Sequence, residues 1–241
     1  MEGVQAQVDR EAAANLVRWW RDAGVDTLVD DAPRDWLARP ARPVVQAIEQ
    51  PAQRESSAGL PDSLEAMLAW RHESPDVPEA HWGGIRILPA GDRKADLMIL
   101  TDLPEPGDAA AGVLMAGELG ELFDKMLVAI GRDRSSIWLA PLATVRPVGG
   151  RMARDVVQRL VEIARRHISI VAPKRLLLMG DGPNRALIGP DWQARRGSLH
   201  SINLGEVSVE TVATFHPRLL LERPAYKAQA WKDLQLLMKG L

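Results

Sequence analysis

The feature that most restricts the fold is a pattern repeated four times between residues 95 and 216: a short apolar run closed by a loop. Asp96-Leu97-Met98-Ile99-Leu100-Thr101 runs into a Pro/Gly-rich loop over 103–112, and Ile137-Trp138-Leu139-Ala140 into one carrying Pro141, Pro147, Gly149 and Gly150. Arg175-Leu176-Leu177-Leu178-Met179 runs into Gly180-Asp181-Gly182-Pro183, and 207–214 into Phe215-His216-Pro217. Between the runs, 117–130 and 153–170 have the spacing of long helices, with Leu119, Leu122, Phe123, Met126 and Leu127 on one face of the first, and 184–188 reads as a short one. Apolar runs of strand length alternating with helices indicate a parallel sheet covered on both faces. The expected fold class is therefore α/β, a three-layer sandwich with a central four-stranded parallel sheet flanked by helices, plus an N-terminal helical extension. Ligands of such sheets lie beyond the carboxyl ends of the strands, so all four loops are expected on one edge.

The extension is read from residues 8–24, where Ala12, Leu16, Trp19, Trp20 and Ala23 recur at helical spacing before Gly24. Residues 32–61, with five prolines among Ala, Gln and Ser, read as a linker of low order. The expected division is 1–60 for the N-terminal helix and linker and 61–241 for the main domain. Ser63 is the expected N-cap of a helix carrying Leu64, Met67, Leu68 and Trp70.

The chain has no cysteine, which excludes disulfides, thiolate nucleophiles and cysteine-ligated clusters. Its histidines show no i, i+4 metal spacing, so neither a metal nor a cofactor is expected. No apolar run reaches membrane-spanning length, and the expected setting is cytoplasmic with no membrane partner. Residues 1–120 hold 11 Lys and Arg against 21 Asp and Glu, a net of −10, whereas 121–241 hold 19 against 11, a net of +8. The basic half has two readings, a phosphate-binding surface or a solvated helical face. The acidic N-terminal half suits a protein partner or self-shielding.

His216, set before Pro217 at a strand end, has the placement of a catalytic imidazole, although a lone His beside Pro is more often a structural loop residue. Asp102, Glu105 and Asp108 in the first loop either carry chemistry or solvate a turn. Arg146, Arg151 and Arg154 around the second loop either clamp phosphates or solvate a helix start, and Arg195-Arg196 carries the same two readings. Gly180-Asp181-Gly182 after a strand is a weak dinucleotide-loop signal, because Arg185 stands where a third glycine belongs.

The order of these loops is specific in combination. Pro104; Gly112 and Gly117 through 122–131; Arg146-Pro147; Pro173-Lys174 before a strand ending at Gly180; Ala186-Leu187-Ile188-Gly189; Arg196-Gly197; and 214–221 followed by Trp231-Lys232-Asp233-Leu234 together resemble the uracil-DNA glycosylase superfamily. The branch it is most similar to carries an iron–sulfur cluster in many bacteria. The resemblance covers roughly residues 95–241.

It implies a DNA-repair protein that extrudes a nucleotide and hydrolyses the N-glycosidic bond. In that scheme His216 donates toward the base oxygen that gathers charge, and Asp102 positions water or offsets the positive sugar. Leu103, Pro104, Met115 and Pro141 fall at the base pocket. Arg146, Arg151, Arg196, Arg218 and Leu219 are the implied DNA contacts, with Leu219 and Leu220 as wedge candidates. The departures are equally specific. Thr101-Asp102-Leu103-Pro104-Glu105 stands where the family has Gly-Glu-Ala-Pro-Gly, Met115 where it has a stacking Phe, Val145 at one cluster cysteine, and Pro141 where an asparagine reads the uracil edge. Proline offers neither side-chain donor nor backbone N–H. Activity on uracil is therefore expected to be weak or absent, the alternatives being an active glycosylase for another damaged base or a non-catalytic interaction module that keeps the fold.

Overall fold

The computed structural model describes residues 46–47, 59–205 and 207–239; the expected helix at 8–24 and nearly all of the expected linker lie outside them. The strands are β1 (Gln46–Ala47), β2 (Ala90–Gly91), β3 (Leu97–Thr101), β4 (Trp138–Pro141), β5 (Arg175–Met179), β6 (His200–Asn203) and β7 (Ser208–Thr214). The helices among the described residues are α1 (Leu64–Glu73), α2 (Asp108–Ala111), α3 (Gly117–Ala129), α4 (Arg154–Val171), α5 (Asp181–Leu187), α6 (Trp192–Arg195), α7 (Pro217–Glu222) and α8 (Lys227–Met238).

The four expected strands are β3, β4, β5 and β7, and they form a parallel core in the order β4-β3-β5-β7. The sheet is nonetheless mixed and larger than four strands, which corrects the expectation of a purely parallel sheet. In the full order β1-β6-β7-β5-β3-β4-β2, β6 runs antiparallel to β7 and β2 antiparallel to β4. The added strands are edge elements with little apolar signal. β6 is His-Ser-Ile-Asn with only its alternate positions buried, closed against β7 by the Leu204 N–H to Val207 carbonyl bond of 2.8 Å. β2 is two residues long, and β1 is a two-residue strand within the expected linker, parallel to β6.

Alternation along the core strands builds two apolar layers, because successive side chains leave opposite faces. Met98, Leu100, Trp138, Ala140, Leu176, Leu178 and Ala213 enter one layer with α4 (Leu160, Ile163, Ala164, Ile168) and with Met67 of α1. Leu97, Ile99, Leu139, Leu177, Met179 and Val212 enter the other with Phe123 and Leu127 of α3 and Leu234 and Leu237 of α8. Both faces are dry, which is why these strands read as unbroken apolar runs. Ser63 caps α1, its side chain accepting from Ala66 N–H at 3.2 Å.

The strand order also fixes where a ligand can enter. From β3 the chain passes to β4 on one side, then returns across β3 to β5 on the other. The connections leaving β3 and β5 therefore diverge to opposite faces, opening a crevice between their carboxyl ends.

Candidate active site

Asp102 follows β3, Gly180 and Gly182 follow β5, and His216 follows β7, so three neighbouring strand ends supply the crevice. Gly180 separates the two candidate catalytic groups: a Cβ placed there would stand 3.4 Å from His216 Cβ and 3.8 Å from Asp102 Cβ. Its φ of 103° also favours glycine. Gly182 approaches the carboxylate still more closely, since a Cβ there would lie 2.5 Å from Asp102 Oδ1. Its backbone N–H donates to Asp102. The two glycines that looked like a fragment of a dinucleotide loop thus make room for a carboxylate.

Burial is the chief influence on Asp102 and pushes its pKa above the ordinary aspartate value, with the charge of Asp181 adding to the rise; the Gly182 N–H, Arg218 and Arg146 act the other way. His216 is pushed down to about 3, first by burial and then by the positive charges of Arg218 and Arg146. It is a neutral imidazole at physiological pH. His216 caps α7, with Nδ1 accepting the Arg218 N–H at 3.3 Å. An accepting Nδ1 leaves the single ring proton on Nε2, which faces the first loop, 3.8 Å from Glu105 Oε1. Because the ring is neutral, this contact is not an ion pair.

Glu105 also binds the Arg218 guanidinium and lies 3.7 Å from Arg146 Nη2. Arg146 in turn donates from Nε to the Pro104 carbonyl at 2.8 Å. The first loop is held from within by Asp108, whose buried carboxylate accepts from the backbone N–H groups of Glu105 (2.8 Å), Met115 (2.9 Å) and Ala116 (2.8 Å). Of the three acidic residues in this loop, Asp108 organises the turn, while Asp102 and Glu105 line the crevice.

The structure gathers Asp102, Leu103, Pro104, His216, Arg146 and Arg218 around this edge, with Pro141 paired to Thr101 at the end of β4. Leu103 is buried in the apolar layer shared with α4. The Pro141 carbonyl accepts from Arg71 Nη1 at 3.4 Å. Met115 is buried in the opposite layer with φ 55°, its N–H held by Asp108 and its carbonyl by Arg134 at 2.8 Å. Leu219 is half-buried and Arg151 exposed. Arg196 is committed elsewhere: it pairs with Asp233 at 2.9 Å, donates to Gln229 at 3.0 Å and lies over the Phe215 ring at 4.0 Å.

Three participants were not legible as site residues: Glu105 as the centre of an ion cluster, Gly182, and Asn184. Asn184 Nδ2 donates to the carbonyls of Leu178 (3.2 Å), Gly180 (2.6 Å) and Thr214 (3.1 Å), tying the ends of β5 and β7 together. Its signal is only an asparagine two residues after a Gly-Asp-Gly loop, common to many helix starts.

An iron–sulfur cluster does not fit these residues. The chain has no cysteine, and Val145, at one cluster-cysteine position, is buried within van der Waals reach of a Cβ placed at Gly84. Among the described residues no group of His, Cys, Asp and Glu has the arrangement of a metal site, and no helix is long and apolar enough to cross a membrane.

A sequence model of the Uracil DNA glycosylase superfamily matches residues 88–235, from just before β2 into α8. A Type-4 uracil-DNA glycosylase of Pyrobaculum aerophilum is 26% identical over 159 residues, covering 62% of this chain and 80% of that protein. Another, of Archaeoglobus fulgidus, is 19% identical over 152 residues, covering 60% of this chain and 76% of that protein. The matched span begins ahead of β3 and contains every residue of the crevice.

Proposed function

This chain belongs to the uracil-DNA glycosylase superfamily, and from that premise we propose that it binds DNA, receives an extruded nucleotide between the ends of β3 and β5, and excises uracil weakly or not at all. The observation that carries this reading is the geometry: His216 and the buried Asp102 face one crevice across Gly180, with His216 Nδ1 engaged by the Arg218 N–H so that Nε2 is turned to the crevice.

Breaking an N-glycosidic bond leaves negative charge on the base and positive charge on the sugar. A neutral imidazole fixed by its Nδ1 contact is a preorganised donor for the first, and with a pKa of about 3 it stays neutral at physiological pH. Asp102, whose burial raises the proton affinity of its carboxylate, is suited in the ionised form to take a proton from the attacking water or to offset the sugar. Base selection is the weak element. Pro141 supplies no donor, and its carbonyl is engaged by Arg71; without a matched polar pair, strong discrimination for uracil is lost.

The test is incubation with duplexes carrying uracil, hypoxanthine, xanthine or alkylated bases, followed by cleavage at abasic sites. Uracil release is expected to be slow, and whatever release occurs should fall about 10²–10³-fold in His216→Ala. Undiminished release in that variant would reject the role of His216. Faster release of a base other than uracil would favour a reshaped pocket, the reading to which Pro141 itself lends support.

A further inference from the structure

The carboxylate of Glu105 sits where an incoming anion would be bound. Two cations reach it from other loops, the Arg146 guanidinium at 3.7 Å from the loop after β4 and the Arg218 guanidinium, hydrogen-bonded to it, from the turn after β7, while His216 Nε2 stands 3.8 Å away. Arg146 and His216 are placed without help from Glu105, whereas the Arg218 guanidinium is paired to it. Arg146 is held by the Pro104 carbonyl at 2.8 Å, and the imidazole by its Nδ1 contact with the Arg218 backbone. The acidic side chain is 13% exposed while that of Arg218 is 46% exposed, so the carboxylate lies inside the mouth with a cation reaching over it from solvent. The Glu105 backbone is fixed by its N–H bond to Asp108, so its side chain alone can leave.

We propose that the mouth of the crevice, beside His216, is a binding site for one phosphodiester group of DNA, formed by Arg146 and Arg218, and that Glu105 occupies it in the free protein as an internal anion. This rests on the DNA-binding reading above and adds to it a site and a device that restrains it. The two non-bridging oxygens of a phosphodiester can be taken by guanidinium groups as the two oxygens of a carboxylate are. DNA must therefore displace Glu105, and the apparent affinity falls by the fraction of molecules in which the side chain has swung out. The residue has a second cost for DNA: after displacement its charge remains near the bound phosphate.

Two variants test this, Glu105→Ala and Glu105→Gln, the second preserving size and hydrogen bonding while removing charge. Calorimetry with inorganic pyrophosphate probes the anion site alone. Fluorescence anisotropy with a duplex containing a tetrahydrofuran abasic analogue, at several salt concentrations, probes DNA. Both variants are expected to bind pyrophosphate at least tenfold more tightly than the unsubstituted protein, and to bind the duplex more tightly with a log–log salt slope steeper by about 1, as one further phosphate is neutralised. Equal or weaker pyrophosphate binding in folded Glu105→Gln overturns the proposal, whatever the DNA result. Abolished base release in Glu105→Gln would also overturn it, because Glu105 would then be a reacting carboxylate. Tighter pyrophosphate binding with no binding of DNA by any form would leave the anion site standing, refute the phosphodiester as its ligand, and defeat the DNA-binding reading separately.

Discussion

Two arginine–carboxylate clusters flank the chain that follows β4, and they are built in opposite ways. On one side Arg71 and Glu79 pair at 2.5 Å with side-chain exposures of 1% and 0%. Glu79 Oε1 also accepts from the Thr144 N–H at 3.1 Å and the Thr144 hydroxyl at 3.0 Å, while Arg71 Nη2 donates to the Leu142 carbonyl at 3.0 Å. On the other side, two residues beyond Thr144, Arg146 joins Arg218 and Glu105 at the open crevice. The first cluster fastens α1 to the turn after β4, and no ligand can reach it. The second holds its charges where a partner can exchange with them. Residue type does not distinguish the two; burial and the number of backbone partners do.

The largest expected effect breaks the buried cluster. Burial works against the Glu79 carboxylate, but Arg71 and the Thr144 bonds outweigh it and hold its pKa below the ordinary value. Glu79→Ala would strand the Arg71 charge and should cost about 3–5 kcal/mol in urea unfolding. Replacing both partners together, Arg71→Met with Glu79→Leu, should recover part of the loss, since the stranded charge is gone while the Thr144 N–H and hydroxyl stay without their acceptor. Arg71 Nε and Glu79 Oε2 have no hydrogen-bond partner among the described residues, which supports positioning of the turn as the main contribution of this pair. A cost of Glu79→Ala below about 1 kcal/mol, as for an exposed pair, would erase the contrast.

Next in size is the response to acid, where each side contributes one histidine. His167 is held down to about 3 by burial and by the nearby Arg71 charge, its Nε2 accepting from Trp138 Nε1 at 2.9 Å; His216 is also near 3. For both, the unfolded chain binds the proton more tightly. The stability they contribute is present above about pH 6.5 and is lost as pH falls toward 3. By pH 5 each should have lost roughly 2 kcal/mol. Asp102 and Asp233, both raised chiefly by burial, act with the opposite sign and regain stability in acid. His167→Gln keeps an acceptor for Trp138 without titrating, so the difference between its unfolding free energy and that of the unsubstituted protein between pH 7 and 5 isolates one histidine. An unchanged pH slope would contradict a neutral buried His167.

Much of this was legible because both sheet faces are buried. The runs at 96–101, 137–140, 175–179 and 207–214 have to be strands, and their number and alternation with helices place Asp102 and His216 on one edge. What the sequence does not display follows from the same physics. β6 has one wet face, so Ser201 and Asn203 dilute its signal, and β2 is too short to have a period. Glu105 was visible as a departure from a close-approach glycine, yet its meaning depends on Arg146 and Arg218, which lie 41 and 113 residues further along the chain. Arg196 reads like any basic loop residue until Asp233, Gln229 and Phe215 are seen around it.

A smaller effect separates a turn-forming carboxylate from the ligand-facing one beside it. Asp108→Asn leaves only one oxygen for the three backbone N–H groups that Asp108 now holds. Part of that loop would be unpaired, at a cost of about 1–3 kcal/mol. The positive φ of Met115 makes the segment dependent on those bonds. Glu105→Gln should cost less, since its pairs lie at a solvent boundary. Equal losses in the two variants would mean that the crevice acid is as structural as its neighbour.

The smallest effect on stability carries the sharpest distinction for DNA, between Arg151 and Arg196. Arg151 is exposed after the turn at Val148–Gly150 and has no hydrogen bond or ion pair among the described residues. Arg196 is held by α8 and by an aromatic ring, with Asp233 also bound to Thr214 at 3.0 Å. Arg151→Ala should therefore leave stability within about 0.5 kcal/mol and lower the salt slope of DNA binding by about 1. Arg196→Ala should do the reverse, costing about 1–3 kcal/mol by leaving the buried Asp233 carboxylate without its cation and with only the Thr214 hydroxyl, with little change in that slope. Anisotropy titrations paired with urea unfolding decide it. A salt slope lowered equally by both substitutions would mean that Arg196 leaves Asp233 for a phosphate when DNA binds, and the present pairing would then be the second place where an acidic side chain of this protein holds a site for DNA.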